Sequence, residues 1–170
     1  MSVHLKSKIV PSPNDWERLR CLVQRYRSRN MEKDVVMTSG AFDVFHIGHL
    51  RYLEASRKFG DYLVVLINSD MHVRKNKGNS RPIYSQEDRA YIIASFACVS
   101  LVMIADDLRE TPLHYVQPDI RVYSESTGLN DDVFRKDCDI IEGYGGEWVV
   151  LPEQSILHSS DMIKHMKRVA

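Results

Sequence analysis

His46 and His49 end the stretch Thr38-Ser-Gly-Ala-Phe-Asp-Val-Phe-His-Ile-Gly-His49, and two imidazoles at that spacing admit three kinds of chemistry. They can be partly buried polar residues, a metal pair, or hydrogen-bond donors to an anion. A zinc site requires further Cys, His or carboxylate ligands at matching spacing, and no Cys pair or third histidine lies nearby in the sequence. The flanking residues favour the anion. Val35-Val-Met37 reads as a short buried strand, and Leu50-Arg-Tyr-Leu-Glu-Ala-Ser-Arg-Lys-Phe-Gly60 as an amphipathic helix stopped by glycine. The histidines then lie where a strand ends and a helix begins, and the unpaired N–H groups of a helix N-terminus attract phosphate. Gly40 lets backbone approach a ligand closely, and Gly48 leaves room between the rings. Two imidazoles donating there to a polyphosphate suit nucleoside triphosphate chemistry.

The other elements must bring partners to that point. Tyr62-Leu-Val-Val-Leu-Ile-Asn68 reads as a second buried parallel strand. Its end falls at the carboxyl edge of the sheet, where ligands sit in open α/β folds. The following His72–Pro82 segment reads as a cationic loop with Arg74, Lys75, Lys77 and Arg81, freed at Gly78 to fold over phosphates. Ser85 with Glu87 and Asp88 opens a helix that carries Arg89 and runs to Phe96, ahead of a strand at 99–104. Asp106 and Asp107 read as a turn and helix cap. A short helix at 111–117, a strand at 119–123, a helix at 131–144 and a strand at 147–151 complete the pattern. His158, Ser159, Ser160 and Asp161 precede a last helix, whose N-terminal hydroxyls can bind phosphate. Upstream, an arm at 1–13 leads into a helix capped by Ser12 or Asn14. That helix has an apolar stripe (Trp16, Leu19, Leu22 or Val23, Tyr26), with arginines on its other faces.

The string Gly40-x-Phe42-Asp43-x-x-His46-x-Gly48-His49 resembles the signature of the His-x-Gly-His nucleotidyltransferase superfamily, in its cytidylyltransferase-like group. The Lys77-Gly-x-x-Arg81-Pro82 run is similar to a loop in the transferase domain of bacterial ADP-heptose synthases. The resemblance implies transfer of a nucleotidyl group from an NTP to a phosphorylated sugar or polyol, with release of pyrophosphate. It implies His46, His49 and Lys77 as the catalytic set. It implies nucleotide contacts at Ser39, Gly40, Ala41, Phe42, Asp43, Gly48, Arg81, Arg89, Tyr123, Ser124, His158, Ser159 and Ser160. Asp43 is expected to shape the signature loop by accepting backbone N–H groups. Mg²⁺ is expected with the NTP, without a protein metal site of its own. The chain departs from the heptose branch at Ser124-Glu-Ser-Thr-Gly128, where that branch usually has Lys-Gly-Gly-Asp. A CTP-dependent glycerol-phosphate or alcohol-phosphate cytidylyltransferase, or a non-catalytic nucleotide-binding relative, therefore stays open beside adenylyl transfer to a heptose phosphate.

Composition bounds the rest. At 170 residues the chain suits one domain with a sizeable core. Twenty-three basic and 23 acidic residues balance, so net charge argues for neither nucleic acid nor an anionic membrane. The apolar runs are too short for a bilayer span, the first residues lack a signal core, and Cys21, Cys98 and Cys138 are scattered as reduced thiols would be. A cytoplasmic homodimer is the expectation. The fold expected is α/β: a Rossmann-like single domain at 34–170 with a five-stranded, mostly parallel sheet and helices on both faces, preceded by an arm and helix at 1–33.

Overall fold

The computed structural model describes residues 7–10, 12–31, 34–125 and 132–153. The apolar runs become strands β1 (Val35–Gly40), β2 (Tyr62–Asn68), β3 (Leu101–Ala105), β4 (Ile120–Ser124) and β5 (Glu147–Leu151). They form one sheet in the order β3-β2-β1-β4-β5, and every pairing is parallel. The helices are α1 (Trp16–Arg27), α2 (Ile47–Arg57), α3 (Asp70–Lys77), α4 (Gln86–Ala94), α5 (Glu110–Val116) and α6 (Asp132–Gly143). This is the Rossmann-like architecture expected, with β1 at the centre.

Alternation along the strands builds two cores. Val35 and Met37 join Leu19 and Val23 of α1, Leu113 of α5 and Ile141 of α6 on one face. Val36 joins Leu53 of α2 and Ile93 of α4 on the other. Thr38 is fully buried, and it is satisfied there: its Oγ1 lies 2.6 Å from the Tyr52 hydroxyl and donates to the Val122 carbonyl at 3.1 Å. The arm is part of the sheet. Val10 N–H donates to Val102 O and Val102 N–H to Lys8 O, so residues 8–10 cover the outer edge of β3. A covered edge cannot template pairing with another chain.

Two local expectations are corrected. Residues 70–77 are helical rather than loop, because Ser69 caps the segment by accepting the His72 N–H at 3.2 Å. The cap of α1 is Asp15, which accepts from Arg18 N–H at 3.0 Å, while Asn14 is drawn away to Asp106. Ser85 caps α4 as expected. No described helix is long and apolar enough to cross a membrane. The expected helix after Asp161 lies outside the described residues.

Gly60 joins α2 to β2 where the chain passes over the start of β1. A Cβ there would stand 2.7 Å from Val36 Cγ2 and 2.9 Å from the Asp34 carbonyl, so backbone would have to shift. Gly60→Ala is expected to destabilise the protein by about 1–3 kcal/mol, the range for overpacking, measured by equilibrium denaturation.

Candidate active site

Strand β1 delivers the chain to the carboxyl edge of the sheet, and the loop at 41–46 turns it into α2. His46 is the N-cap of that helix. Its Nδ1 accepts the Gly48 N–H at 3.2 Å, and its own N–H donates to His49 Nδ1 at 3.3 Å. The rings stack with centroids 3.8 Å apart, and Phe42 and Phe45 hold His49 at 5.5 and 5.4 Å. Since both Nδ1 atoms accept, the neutral rings carry their protons on Nε2; this tautomer is assigned from the hydrogen bonds. Burial first, then the His46 and Lys77 charges, lower the His49 pKa to about 3, with Asp43 opposing. His49 is therefore a neutral Nε2–H donor at physiological pH.

The loop carries two non-glycine residues with left-handed backbone, Phe42 (φ 49°) and Val44 (φ 50°). Such conformations cost on the order of 1–3 kcal/mol each and persist only where the surroundings impose them. Asp43, between them and 1% exposed, supplies the restraint. Its carboxylate accepts Arg81 Nε at 2.5 Å, Ile83 N–H at 2.9 Å and Tyr84 N–H at 3.1 Å. Burial alone would raise its pKa; the Tyr84 and Ile83 amides and Arg81 outweigh it and hold the pKa below the ordinary value. Asp43 does accept backbone N–H groups, as the sequence suggests, but they belong to the loop before α4.

Arg81 and Arg89 were expected at the phosphates, and both are buried. Arg89 donates to Asp70 Oδ1 at 2.7 Å, to Ala41 O at 2.5 Å and to Tyr84 O at 3.2 Å, which ties α3, α4 and the signature loop together. Arg81 holds Asp43 with one edge, and its buried Nη2 has no hydrogen-bond partner among the described residues. Lys77 ends α3 with an exposed side chain, just before Gly78 at φ 86°. Loss of water, then the Arg81 cation, lower its pKa; Asp43 opposes and Arg89 adds to the fall. The mutual effects of His49, Lys77, Arg81 and Asp43 mark them as one cluster.

On the other face of β1, Ser39 Oγ accepts Arg121 Nη2 at 2.6 Å. Gly40 and Ala41 follow at the strand end, and Gly48 is buried in the first turn of α2. Tyr123 lies in the core: its hydroxyl donates to Asp137 at 3.2 Å, and burial raises its pKa to about 12. Ser124 closes β4 at the carboxyl edge. His158, Ser159 and Ser160 lie outside the described residues. Sequence reasoning missed Arg121 and Asp137, which are 2% and 0% exposed. A charge inside the apolar run Ile120-Arg-Val-Tyr123 was the available signal for the first. An acid on the apolar side of α6 was the signal for the second.

Residues 37–168 match the family model described as cytidylyltransferase-like. The bifunctional protein HldE of Syntrophotalea carbinolica is 39% identical over 137 residues, covering 76% of this chain and 26% of that protein. HldE of Koribacter versatilis is 41% identical over 134 residues, covering 77% and 26%. The chain thus spans about a quarter of the length of these curated relatives. A solved lipopolysaccharide core biosynthesis protein from Thermoplasma volcanium superposes with a TM-score of 0.58 at 26% identity, over 71% of this chain and 96% of that one. A pantoate-beta-alanine ligase from Francisella tularensis, complexed with beta-gamma ATP and beta-alanine, shares the fold at a TM-score of 0.54 and 13% identity, over 85% and 75%.

Two outcomes test this geometry. Asp43→Ala leaves Arg81 buried without a counterion, and a loss of about 3–5 kcal/mol is expected on denaturation, with a smaller loss for Asp43→Asn. Because the folded His49 pKa lies below 6.5, the unfolded chain binds the extra proton between those values. Stability from this group is complete above pH 6.5 and is lost as pH falls toward 3. The melting temperature of His49→Asn is expected to depend less on pH between 4 and 6.5 than that of the wild type.

Proposed function

This chain belongs to the cytidylyltransferase-like family of nucleotidyltransferases, and on that premise we propose that it transfers an adenylyl group from ATP to a sugar phosphate, releasing pyrophosphate. The observation that carries the reading is the pair of histidines at the N-terminus of α2. Backbone amides donate to both Nδ1 atoms, so each neutral ring carries its donor at Nε2. The choice of a heptose phosphate as acceptor follows the resemblance to the ADP-heptose synthase transferase domain.

The acceptor phosphate is already anionic at neutral pH, so no base has to create the nucleophile. One of its oxygens attacks the α-phosphorus in line, a new P–O bond forms, and the bond from the α-phosphorus to the bridging oxygen breaks. That electron pair leaves with pyrophosphate. Rate comes from alignment and from stabilising charge as it shifts between oxygens. Neutral His46 and His49 donate hydrogen bonds to the oxygens of the α- and β-phosphates. Lys77 supplies a positive charge, and the downward pull on its pKa relaxes when polyphosphate arrives. Arg81 keeps its Nε on Asp43 and so holds the signature loop in place beside the histidines. Ser159 and Ser160 are proposed at the far end of the triphosphate. The NTP enters as its magnesium complex, held through phosphate and water; the signature-loop carboxylate is already committed to Arg81 and two amides.

Pyrophosphate release from each of the four NTPs across sugar and alcohol phosphates tests the proposal. Turnover with ATP and a heptose phosphate is expected. CTP with an alcohol phosphate would reassign the substrates, and tight NTP binding with no turnover would make this a binding module. His49→Ala is expected to lower kcat by on the order of 100-fold, the effect of removing one charge-stabilising donor, with the circular dichroism spectrum retained.

A further inference from the structure

Helix α1 carries four arginines, with Arg29 just beyond its end, that the transferase reading leaves unused. Two of its arginines are paired: Arg20 with Glu17 at 2.8 Å and Arg27 with Asp119 at 2.9 Å. Arg18, Arg25 and Arg29 have no side-chain partner among the described residues, and all three line a groove of about 490 Å³. Leu22 and the stacked pair Tyr26 and Tyr62, with ring centroids 4.1 Å apart, line it with them. No carboxylate lines this groove among the described residues. Asp34, Asp61 and Arg57 act on the Tyr26 hydroxyl from beyond its rim.

We infer that this groove is a second anion site, fitted to a small molecule bearing two or more phosphate groups. Charge separation within a neutral chain is the first argument. The whole protein balances 23 cations against 23 anions, yet Arg18, Arg25 and Arg29 line one cavity that has no carboxylate in its lining among the described residues. Their mutual repulsion is relieved by a bound anion, and planar guanidinium groups match phosphate oxygens in pairs. Helical spacing is the second. Arg18 and Arg25 lie seven residues apart on one face of α1, roughly 10 Å along it at 1.5 Å per residue, and Arg29 follows two residues beyond the helix end. One phosphate cannot meet all three, whereas a polyphosphate can engage neighbouring pairs.

Size and field decide between a small ligand and a nucleic acid. The groove has the volume of small-molecule sites, and a neutral chain lacks the broad basic field that nucleic-acid binders present. The site is also separate from the histidines. Tyr62 and α1 pack on the face of the sheet that holds Leu19 and Val23, while α2 packs on the opposite face. Its residues are different from those of the proposed reaction, so either reading can fail without the other.

The test is calorimetric titration of the full chain with tripolyphosphate at low and moderate salt. Wild type is expected to show two classes of site. Arg25→Gln with Arg29→Gln should weaken one class by about tenfold or more, because two exposed ion pairs are removed. Both positions are exposed, Arg29 lies beyond the helix end and glutamine is a good helix former at 25, so an unchanged melting curve is expected to confirm the fold. His49→Ala with Lys77→Ala should keep the groove class and lose the other. Raising salt should weaken the groove class. A single class that survives Arg25→Gln with Arg29→Gln overturns the inference, as does the absence of any binding that depends on these arginines. Preferential binding of a short RNA over tripolyphosphate at the same arginines overturns the small-molecule assignment.

Discussion

The Asp43 carboxylate is the interaction on which the site depends. It lies between two residues held in left-handed backbone, and it reaches across to the loop before α4, where one guanidinium and two amides meet it. Without that anchor, the turn from β1 to α2 has no reason to stay in a conformation that costs free energy at both Phe42 and Val44. The His46 and His49 rings follow from the turn. Their Nδ1 atoms are aimed inward by the first amides of α2, which leaves Nε2–H as the only donor each neutral ring can offer outward. Burying Asp43 is thus how the fold converts a strained turn into a fixed pair of donors.

Arg89 does for the outer elements what Arg81 does for the loop. It is fully buried and joins Asp70 on α3, Tyr84 before α4 and Ala41 in the signature loop. A buried charge is tolerated only when paired and hydrogen-bonded, and three oxygens surround this one. α3 is held at its start by Ser69, which bonds both His72 N–H and Asp106. At its other end the Gly78 N–H donates to Arg74 O at 2.9 Å and Gly78 O accepts the Arg81 N–H at 3.1 Å, so the segment carrying Lys77 is tied to Arg81 and through it to Asp43.

Much of this was legible in the residues. The apolar runs at 35–37, 62–67 and 101–104 could be only buried strands, and the β1-to-α2 turn was marked by glycine and by the histidines themselves. The helix at 70–77 was not legible, because four polar or charged side chains in a row at 74–77 hide a capped turn whose buried apolar residue is Val73. The directions of Arg81 and Arg89 were also hidden. An arginine near a phosphate site reads the same whether it faces ligand or scaffold, and only the positions of Asp43 and Asp70 in space decide. Tyr123 illustrates the converse: at a strand end it suggests a ligand contact, but the strand's alternation turns it toward Phe134 and Asp137.

Charge accounting sharpens the division of labour among the cations. Arg89 is matched by Asp70, and Arg81 by Asp43, so each pair presents little net charge to a ligand. Arg74 reaches Asp70 only at 3.7 Å and stays half in water. Lys77 stands apart: it makes no ion pair among the described residues, and loss of water first, then the Arg81 cation with Arg89 adding, lowers its pKa. A polyphosphate entering beside neutral His49 would meet directional donors from the histidines and its main uncompensated charge from Lys77. The two contributions are separable in principle, since hydrogen bonds to a neutral ring persist at high ionic strength while the attraction of an exposed lysine is screened.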